Sequence, residues 1–560
     1  MSLRRDRCNR QARPAGTVRT MPIARPSDPR PQISWSGWGD PTQVSALPDD
    51  LLRRLTDALG LRGPRPRPAS IEEIAIAPRR FSGAIESELA AIVGEANVHS
   101  DHDARVRHTR GKSTPDLLRL RAGEATDAPD LILMPESHAQ VLEILRVCSQ
   151  RRIAVVPFGG GTSVVGGLAP RVGDLAGIVA LDLRRMNALL ELDEESRLAV
   201  FEPGLLGPEA EALLAARGYT IGHFPQSFQY ATLGGFAAAR SSGQASAGYG
   251  RFDDLVLALR VATPAGTLTL GRAPRSAAGP DLRQLILGSE GALGVITSLT
   301  LQIAPVPQRR AYEGWRFDSF QSGARVFRRL MQDGPTPTVL RLSDEAETAL
   351  NLALPAELGQ SGQGGHGGCL AIIGYEGSNG DVERRSAQAG AILKAAGAQP
   401  VAGAGDSWAA DRFRGPYLRD ALLDAGALVE TLETVTFWSS LGALYGAVSD
   451  ALRESLSAQG TSPVILCHIS HVYATGASLY FTVGCAQLED PRAQWAIAKA
   501  AASDAILSAG GSISHHHGVG SDHLRWYERE IGELAMQALA AVKATLDPAG
   551  ILNPGILIAR

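Results

Sequence analysis

Three glycine-rich loops, each next to a predicted strand, limit most strongly what this chain can fold into. The first (PFGGGTS, residues 157–163) follows the apolar run 153–157, and the others span residues 226–235 and 288–297. Glycine permits positive φ angles and lets the backbone approach a ligand closely. Successive N–H groups in such a turn can bind phosphate without a lysine. The first loop alone is equally compatible with a plain turn, but three similar loops predict a phosphate-containing ligand.

The spacing of the glycines disfavours two common phosphate-binding motifs. Residues 157–163 match neither GxxxxGK[ST], the P-loop, nor GxGxxG, the fingerprint of the doubly wound dinucleotide-binding fold. A P-loop nucleotide hydrolase and a Rossmann-type dehydrogenase are therefore not predicted.

Length and charge narrow the class of protein further. The chain has 560 residues, 44% of them hydrophobic and 20% charged, as expected for a globular protein of two or three domains. A formal net charge of -3 indicates no broad basic face, so no nucleic-acid partner is expected. No uninterrupted apolar run approaches the roughly 18 residues of a transmembrane helix.

The cysteines and the N-terminal segment indicate in which cellular compartment the protein is located. Residues 1–30 are rich in Arg and Pro and lack the apolar segment of a secretory signal, so a disordered tail is predicted there. Scattered cysteines without a CxxC pair indicate reduced thiols, and with the bacterial-like composition they predict a cytoplasmic protein. These are Cys8, Cys148, Cys369, Cys467 and Cys485.

Predicted elements divide the rest of the chain into four parts, at residues 31–125, 126–306, 307–500 and 501–560. The second part contains strands and one helix, and its strand–helix–strand start leads into the first glycine loop. In the third part strands alternate with helices, which predicts a separate α+β domain beyond Pro305 and Pro307. The first and last parts are predicted to be mainly helical. The predicted strands are 131–134, 153–157, 178–183, 198–201, 255–262, 267–270, 294–303, 369–375, 463–470 and 477–483, and the predicted helices include 137–148, 321–330, 381–396 and 441–457.

A run of three histidines is the strongest candidate for catalysis. His515, His516 and His517 lie in the segment SHHHGVG, residues 514–520. Adjacent imidazoles before a glycine turn cannot all face one way, but two can reach one site as general bases or hold an anion. A metal would need ligands from elsewhere, and no HExxH spacing is present, so no metal is predicted. A histidine run on the surface is the alternative.

The loops resemble the FAD-binding domain of the vanillyl-alcohol-oxidase (p-cresol methylhydroxylase, PCMH) superfamily. PFGGGTS, ATLGG at 231–235 and GSEGALGVIT at 288–297 carry the likeness, and DPAGILNPG at 547–555 is similar to the C-terminal signature of that superfamily. The resemblance implies an α+β fold with a two-lobed FAD-binding domain, an α+β cap and a C-terminal helical segment. It does not identify the substrate.

Two further motifs narrow the resemblance. ISWSGWG at 33–39 and RHTRGKSTPDLLRLR at 107–121, with the histidine run, are similar to the alkyldihydroxyacetonephosphate synthase (alkylglycerone-phosphate synthase) family. This resemblance implies an FAD-dependent enzyme that exchanges the acyl group of acyl-dihydroxyacetone phosphate for a fatty alcohol. The product is an ether-lipid precursor, formed through an adduct at flavin N5 without net redox change.

The loops and the resemblance together assign a set of residues to FAD. They are Pro157, Phe158, Gly159, Gly160, Gly161, Thr162, Ser163, Gln226, Ser227, Phe228, Gln229, Tyr230, Ala231, Thr232, Gly234, Gly235, Ala239, Arg240, Ser241, Ser242, Glu290, Gly291, Ala292, Leu293, Gly294, Val295 and Ile296.

Two functional residues of the family carry over onto matching motifs. Arg419, in YLRDAL, matches an arginine that suits a bidentate phosphate contact. A surface ion pair with Asp420 or Asp424 is the alternative. Tyr480, in TGASLYF, matches a tyrosine able to pass a proton, and a tyrosine packed in the core is the alternative. The histidine run completes the predicted catalytic set.

Gln226 departs from the family pattern, which usually has an acidic residue at this position. An amide can still hydrogen-bond ribose or phosphate, so FAD is still expected.

Two other functions are compatible with the same fold. The first is a flavin-dependent 2-hydroxy-acid dehydrogenase or oxidase of the D-lactate or glycolate type, and the second is a non-catalytic flavin-binding protein. The long-chain substrate implies an apolar tunnel and peripheral membrane contact, and the family suggests a homodimer.

Overall fold

A four-stranded sheet positions the first glycine loop, as the predicted strand–helix–strand order requires. Helix His138–Arg151 crosses between two of its parallel strands, and the Ser137 hydroxyl caps it by accepting from the N–H of Gln140. In spatial order the strands are Val98–His99, Leu131–Leu133, Ile178–Asp182 and Ala154–Phe158. The computed structural model describes residues 24–27, 30, 32–44, 46–63, 68–353 and 367–559.

This lobe is larger than the predicted segment that begins at residue 126. Strand Val98–His99 belongs to its sheet, and helix Gly83–Val93 contributes Leu89 and Val93 to its core. From the other end of the chain, Leu552 bridges Val155, which brings the DPAGILNPG segment back onto the lobe. The small sheet needs this cover, because its strands are apolar on both faces.

A second lobe carries the other two glycine loops around a five-stranded antiparallel sheet. Its strands, in spatial order, are Gly266–Leu270, Val256–Thr263, Val295–Gln302, Leu198–Phe201 and Leu189–Asp193. Its helices are Gly207–Ala215, Leu233–Ala239, Ser246–Tyr249, Phe252–Leu255 and Arg283–Ile286, and Tyr219–Thr220 pairs with Ala304–Pro305.

A seven-stranded antiparallel sheet forms the cap. Its strands, in spatial order, are Gln399–Val401, Arg309–Phe317, Cys369–Gly377, Val339–Ser343, Val464–Val472, Gly476–Ala486 and Ala427–Phe437. Its helices are Phe320–Gln332, Glu345–Ala353, Asn379–Ala395, Ala404–Asp411, Gly415–Asp424, Leu441–Ala458 and Pro491–Ser508.

The predicted boundary at residue 500 falls inside helix Pro491–Ser508. That helix buries Trp495, Ala502 and Ile506 in the same core as the cap sheet, so it belongs with the cap. Strands Arg309–Phe317, Val339–Ser343 and Ala427–Phe437 were not predicted. Charged residues interrupt the apolar pattern of these strands. In strand Ala427–Phe437 the charged residues Glu430 and Glu433 are nevertheless buried.

The remaining elements frame the site. The histidine run lies between helix Pro491–Ser508 and the two C-terminal helices, Leu524–Ile531 and Glu533–Leu546. The N-terminal region contains helices Asp49–Leu59, His102–Arg107 and Thr114–Arg121 and the parallel strand pair Ala75–Ile76 and Glu124–Ala125. Among the described helices, none combines the length and apolarity needed to cross a membrane.

Part of the predicted tail is ordered. Ala24 bridges Leu189, and Arg30 forms an ion pair with Glu209, which anchors this stretch to the second lobe. Residues 1–23 lie outside the described residues, so the prediction of disorder is not tested there.

Candidate active site

One cavity, of about 620 Å³, lies where the glycine loops, the cap sheet and helix Asp49–Leu59 meet. Arg419, Tyr480, His516 and His517 all line it. The residues that the sequence predicted for substrate binding and catalysis therefore share one space, although they come from a cap helix, a cap strand and the C-terminal segment.

The glycine loops interlock to form one wall of this cavity. A Cβ at Gly160 would lie 1.8 Å from the carbonyl oxygen of Tyr230, and one at Gly291 would lie 2.8 Å from Pro157. Side chains at these positions would force the three loops apart. The result is a wall of backbone and of small hydroxyl residues such as Thr162 and Ser163, which suits a diphosphate. These residues fit FAD.

Six residues predicted to contact the cofactor do not line the cavity: Phe228, Gln229, Tyr230, Arg240, Ala292 and Leu293.

Most of the six have another role. The Tyr230 hydroxyl bonds that of Tyr417 at 2.7 Å, and Phe228 packs against Phe224 and Phe413. The Arg240 guanidinium turns away to the carbonyl of Leu287. Ala292 and Leu293 are buried in the core of the second lobe. A contiguous motif cannot show which of its side chains face outward.

The cap sheet forms the opposite wall, through alternate residues of three neighbouring strands. Strand pairing places the residues of this face in rows: Glu433, Tyr480 and His468 in the first, Thr431, Thr482 and Leu466 in the second, and Val429, Gly484 and Val464 in the third. All of them line the cavity except Glu433. The rows change from ionisable to apolar over four residues, which is roughly 13 Å.

The apolar end continues beyond the sheet. Leu55 and Leu59 of helix Asp49–Leu59 join Leu422 there, and Leu59 is buried against Val429. A Cβ at Gly484 would meet nothing within 4 Å, so this glycine leaves the channel open. The cavity thus passes from a polar chamber into an apolar channel.

Tyr480 lies in the polar chamber. Its ring stacks on His468 with centroids 4.9 Å apart and meets His517 edge-on at 5.7 Å. Burial raises the pKa of Tyr480 to about 12, so the group is a neutral phenol at physiological pH. It can donate its proton to an oxygen in the chamber.

Glu433 fixes the histidine run from beneath. Its fully buried carboxylate accepts from the backbone N–H groups of His515, His516 and His517 at 2.7–3.0 Å and from the Ser514 hydroxyl at 2.8 Å. Burial opposes its ionisation, but the adjacent imidazoles and these donors outweigh burial and hold the pKa of Glu433 below its usual value.

This anchor determines which imidazoles face the chamber. His516 and His517 line the cavity, whereas His515, predicted to be catalytic, does not. His515 is 5% exposed and lies behind His516, with the two Nδ1 atoms 2.9 Å apart. Burial lowers the pKa of all three histidines, that of His517 to about 3, so the three imidazoles are neutral at physiological pH.

A fourth histidine joins the run. Ring nitrogens of His471, His515 and His516 lie within 4.8 Å of one another, a grouping that could hold a metal ion. The sequence did not predict it, because His471 comes from a cap strand far from the run. Arg251 lowers the pKa of all three by its charge, after the larger effect of burial on each, and the same charge would oppose a bound cation.

Arg419 lines the cavity and also pairs with Asp420, one of the two partners named in the alternative interpretation, but this ion pair is buried and does not lie on the surface. Nε and Nη2 donate to the Asp420 carboxylate and Nη1 donates to the carbonyl of Lys112. The other Asp420 oxygen accepts from the N–H of Trp38. Nη1 and Nη2 each keep a second hydrogen that a phosphate oxygen in the cavity can accept.

The two motifs that narrowed the resemblance turn out to be partners. Arg107, Lys112 and Arg121 of the basic stretch donate to the carbonyls of Ile33, Ser34 and Ser36. These cations therefore hold the Trp-containing turn against Asp420 and support Arg419 indirectly. Burial lowers the pKa of Lys112 to about 7.

The cavity is also lined by a cluster of charged residues that was not predicted. Arg341 donates to Glu347 at 2.6 Å, and His468 lies 2.9 Å from the same carboxylate. All three line the cavity but come from two strands and a helix of the cap, so only the folded cap brings them together. Gln226, the departure from the family pattern, also lines the cavity.

Glu290 links the third glycine loop to the histidine turn. Its carboxylate accepts from the N–H groups of Val519 and Gly520 at 2.9 Å. Burial raises the pKa of Glu290 to about 7. The loop predicted to hold the cofactor and the turn that follows the histidines are therefore one connected unit.

Comparison with known proteins defines the class. Residues 129–271 match the family model described as FAD binding domain, and residues 306–557 match that of FAD linked oxidases, C-terminal domain. A solved p-cresol methylhydroxylase, 15% identical with a TM-score of 0.63 over 86% of this chain and 99% of its own, shares the fold. The chain is a flavoprotein of the FAD-linked oxidase class, and its cofactor is FAD.

More similar proteins identify the family. The chain is 34% identical to an alkyldihydroxyacetonephosphate synthase of Dictyostelium discoideum over 571 aligned residues, which cover 94% of this chain and 93% of the relative. A solved alkyldihydroxyacetonephosphate synthase is 30% identical, with a TM-score of 0.78 over 93% of this chain and 99% of its own. The chain belongs to the alkyldihydroxyacetonephosphate synthase family.

Proposed function

We propose that this chain exchanges the acyl group of acyl-dihydroxyacetone phosphate for a long-chain fatty alcohol and so forms an ether-lipid precursor. The observation that carries the proposal is the single cavity with an ionisable chamber at one end and an apolar channel at the other. A small 2-hydroxy acid would need the chamber but would leave the channel unfilled.

The side chains divide the work by position. The two remaining N–H groups of Arg419 bind the substrate phosphate as a bidentate pair. Tyr480, a phenol at neutral pH, donates a proton or a hydrogen bond to the reacting oxygen. Neutral His516 accepts the proton of the incoming alcohol, and the Glu433 carboxylate, 3.6 Å from its Nδ1, stabilises the imidazolium that forms.

FAD, when bound, supplies a ring system able to act as a covalent catalyst, which divides one difficult displacement into two easier steps. The chain's own contribution is to place substrate, proton donor and proton acceptor against the glycine-loop wall and to keep water away from them. The apolar channel excludes water because its lining offers few hydrogen-bond partners.

The experiment uses FAD-loaded protein with palmitoyl-dihydroxyacetone phosphate and hexadecanol, without an electron acceptor. Hexadecyl-dihydroxyacetone phosphate and palmitate, detected by mass spectrometry in equal amounts, are the expected products. A parallel anaerobic sample receives D-lactate or glycolate instead. Bleaching of the flavin by the hydroxy acid, with no ether from the lipid substrates, would replace the transferase by a dehydrogenase.

A long-chain substrate dissolves in membranes, so we extend the proposal to peripheral membrane contact. Co-sedimentation with phosphatidylglycerol vesicles tests it, and protein that stays in the supernatant at low salt contradicts it. We also expect a homodimer, which light scattering coupled to size-exclusion chromatography would test. We expect a cytoplasmic location, which cell fractionation would test.

A further inference from the structure

A chain of hydrogen bonds leads away from the active-site cavity through the histidine run. His516 lines the cavity, and its Nδ1 lies 2.9 Å from Nδ1 of His515. Nε2 of His515 in turn lies 2.6 Å from the hydroxyl of Tyr473. The chain thus connects a residue in the chamber to one just beyond the end of strand Val464–Val472.

Tyr473 also lines a second cavity, of about 640 Å³, whose lining includes none of the histidines of the run. The walls of this outer cavity include Phe437, which is 68% exposed, and Arg529, whose side chain is 55% exposed. Solvent therefore reaches the outer cavity, whereas substrate fills the inner one during turnover.

The proposed reaction releases a proton that this chain of hydrogen bonds could carry away. A fatty alcohol loses its O–H hydrogen when it becomes an ether, and the fatty acid leaves as a carboxylate at neutral pH. One proton is therefore released in each turnover, with no change in oxidation state. His516 can accept that proton once, but it must lose it again before the next alcohol reacts.

Few other groups near His516 could accept its proton. Glu433 already accepts four hydrogen bonds, and His471, stacked on His515 with centroids 4.9 Å apart, is buried. Tyr473 differs from them. Burial raises the pKa of Tyr473 to about 12, but the nearby charge of Arg251 and the Ser242 hydroxyl oppose that rise. These two groups stabilise the phenol oxygen while its proton moves.

We propose that His515 and Tyr473 form a proton exit from the active site to the outer cavity, an inference that rests on the proposed function. His516 accepts the alcohol proton at Nε2 and passes the proton on its Nδ1 to Nδ1 of His515. His515 passes the proton on its Nε2 to the oxygen of Tyr473, and Tyr473 releases its own hydroxyl proton to water. One proton enters, one leaves, and the three side chains end the transfer neutral. The His516 and His515 rings then reorient, so that an unprotonated nitrogen of His516 again faces the chamber before the next alcohol reacts.

Tyr473→Phe tests the exit, since it removes the hydroxyl and keeps the ring. Ether formation should fall on the order of tenfold, less than for loss of a group that contacts substrate. High concentrations of imidazole, a diffusible proton carrier, should restore much of the rate. Tyr445→Phe is the matched control: it removes a hydroxyl bonded to Asp344 in the cap, and its rate should not respond to imidazole.

Two outcomes of this assay overturn the exit while the proposed function stands. Either Tyr473→Phe forms ether at the wild-type rate, or it is slow and imidazole does not help, which makes Tyr473 merely structural. If the wild type forms no ether, the proposed function fails, and nitrogen-15 histidine NMR of the FAD-loaded protein decides the hydrogen-bonded chain separately. Ring-nitrogen signals that are identical in wild type and Tyr473→Phe would exclude the bond to His515.

Discussion

The catalytic set depends on a residue to which the sequence motifs assigned no role. Glu433 is fully buried and receives the backbone N–H groups of three successive histidines, so it sets the direction of each imidazole. The sequence predicted that the run matters but not which ring faces the substrate. That information lies in the pairing of Glu433 with a turn about 80 positions later, and a local pattern does not report it.

Tyr480 gives the most direct test at the scale of a residue. In Tyr480→Phe the ring still stacks on His468, but the proton donor is gone, so ether formation should fall by about 10²- to 10⁴-fold while FAD content stays the same. Steady-state rates and the flavin absorbance spectrum measure both.

The matched control is Tyr375→Phe, whose buried hydroxyl has no hydrogen-bond partner among the described residues. It should retain wild-type activity. Equal activity of Tyr480→Phe and Tyr375→Phe would remove Tyr480 from the chemistry.

At the scale of elements, strand pairing builds what the sequence could not show. The glycine loops, Arg419 and Tyr480 lie in contiguous motifs, so the sequence predicted that they matter. The rows across strands Ala427–Phe437, Gly476–Ala486 and Val464–Val472 depend on register, and register places His468 and Gly484 in the cavity. The apolar channel was predicted from the substrate and its residues were not, since they come from elements distant in sequence.

Gly484 should control the length of alcohol that the channel accepts. A leucine there would project into open space within the channel, so Gly484→Leu should favour short alcohols such as octanol over hexadecanol by about tenfold or more. Competition between the two alcohols, with the ethers quantified by mass spectrometry, measures the preference.

Gly442→Leu is the control, because its Cβ also meets nothing within 4 Å but the residue is exposed on a cap helix. It should leave the preference unchanged. An unaltered preference in Gly484→Leu would mean that the alkyl chain does not pass this row.

The buried contact between the N-terminal turn and the cap should contribute strongly to stability. Asp420→Ala removes the partner of both Arg419 and the Trp38 N–H, leaving a nearly buried guanidinium uncompensated. The free energy of unfolding should fall by about 3–5 kcal/mol, and KM for the phosphate substrate should rise as Arg419 loses its support. Urea denaturation and steady-state kinetics measure the two effects.

Asp450→Ala breaks the pair with Arg453, in which both side chains are more than half exposed, and should cost less than about 1 kcal/mol. Equal losses in the two variants would show that the Asp420 contact is not buried in solution.

For the whole molecule, the buried neutral histidines predict how stability depends on pH. Burial lowers the pKa of His517 from 6.5 to about 3 in the folded protein. The unfolded chain therefore binds a proton below pH 6.5 that the folded chain does not. The resulting stability is complete above pH 6.5 and is lost as pH falls from there toward about 3.

His517→Gln removes this difference in proton binding between the folded and unfolded chain. Between about pH 6 and pH 4 its free energy of unfolding should fall less steeply than that of the wild type, by about 1.4 kcal/mol per pH unit. Urea denaturation across this range measures the slopes. Parallel slopes would mean that His517 is already accessible to protons in the folded protein.

In the proposed reaction, one cavity holds FAD, the ionisable chamber and the alkyl channel together, so the alcohol replaces the whole acyloxy group. The most direct measurement uses hexadecanol labelled with oxygen-18 and unlabelled palmitoyl-dihydroxyacetone phosphate. The label should appear in the ether product, and the released palmitate should carry none. Labelled hexadecyl palmitate with free dihydroxyacetone phosphate, or no ether at all, would contradict it.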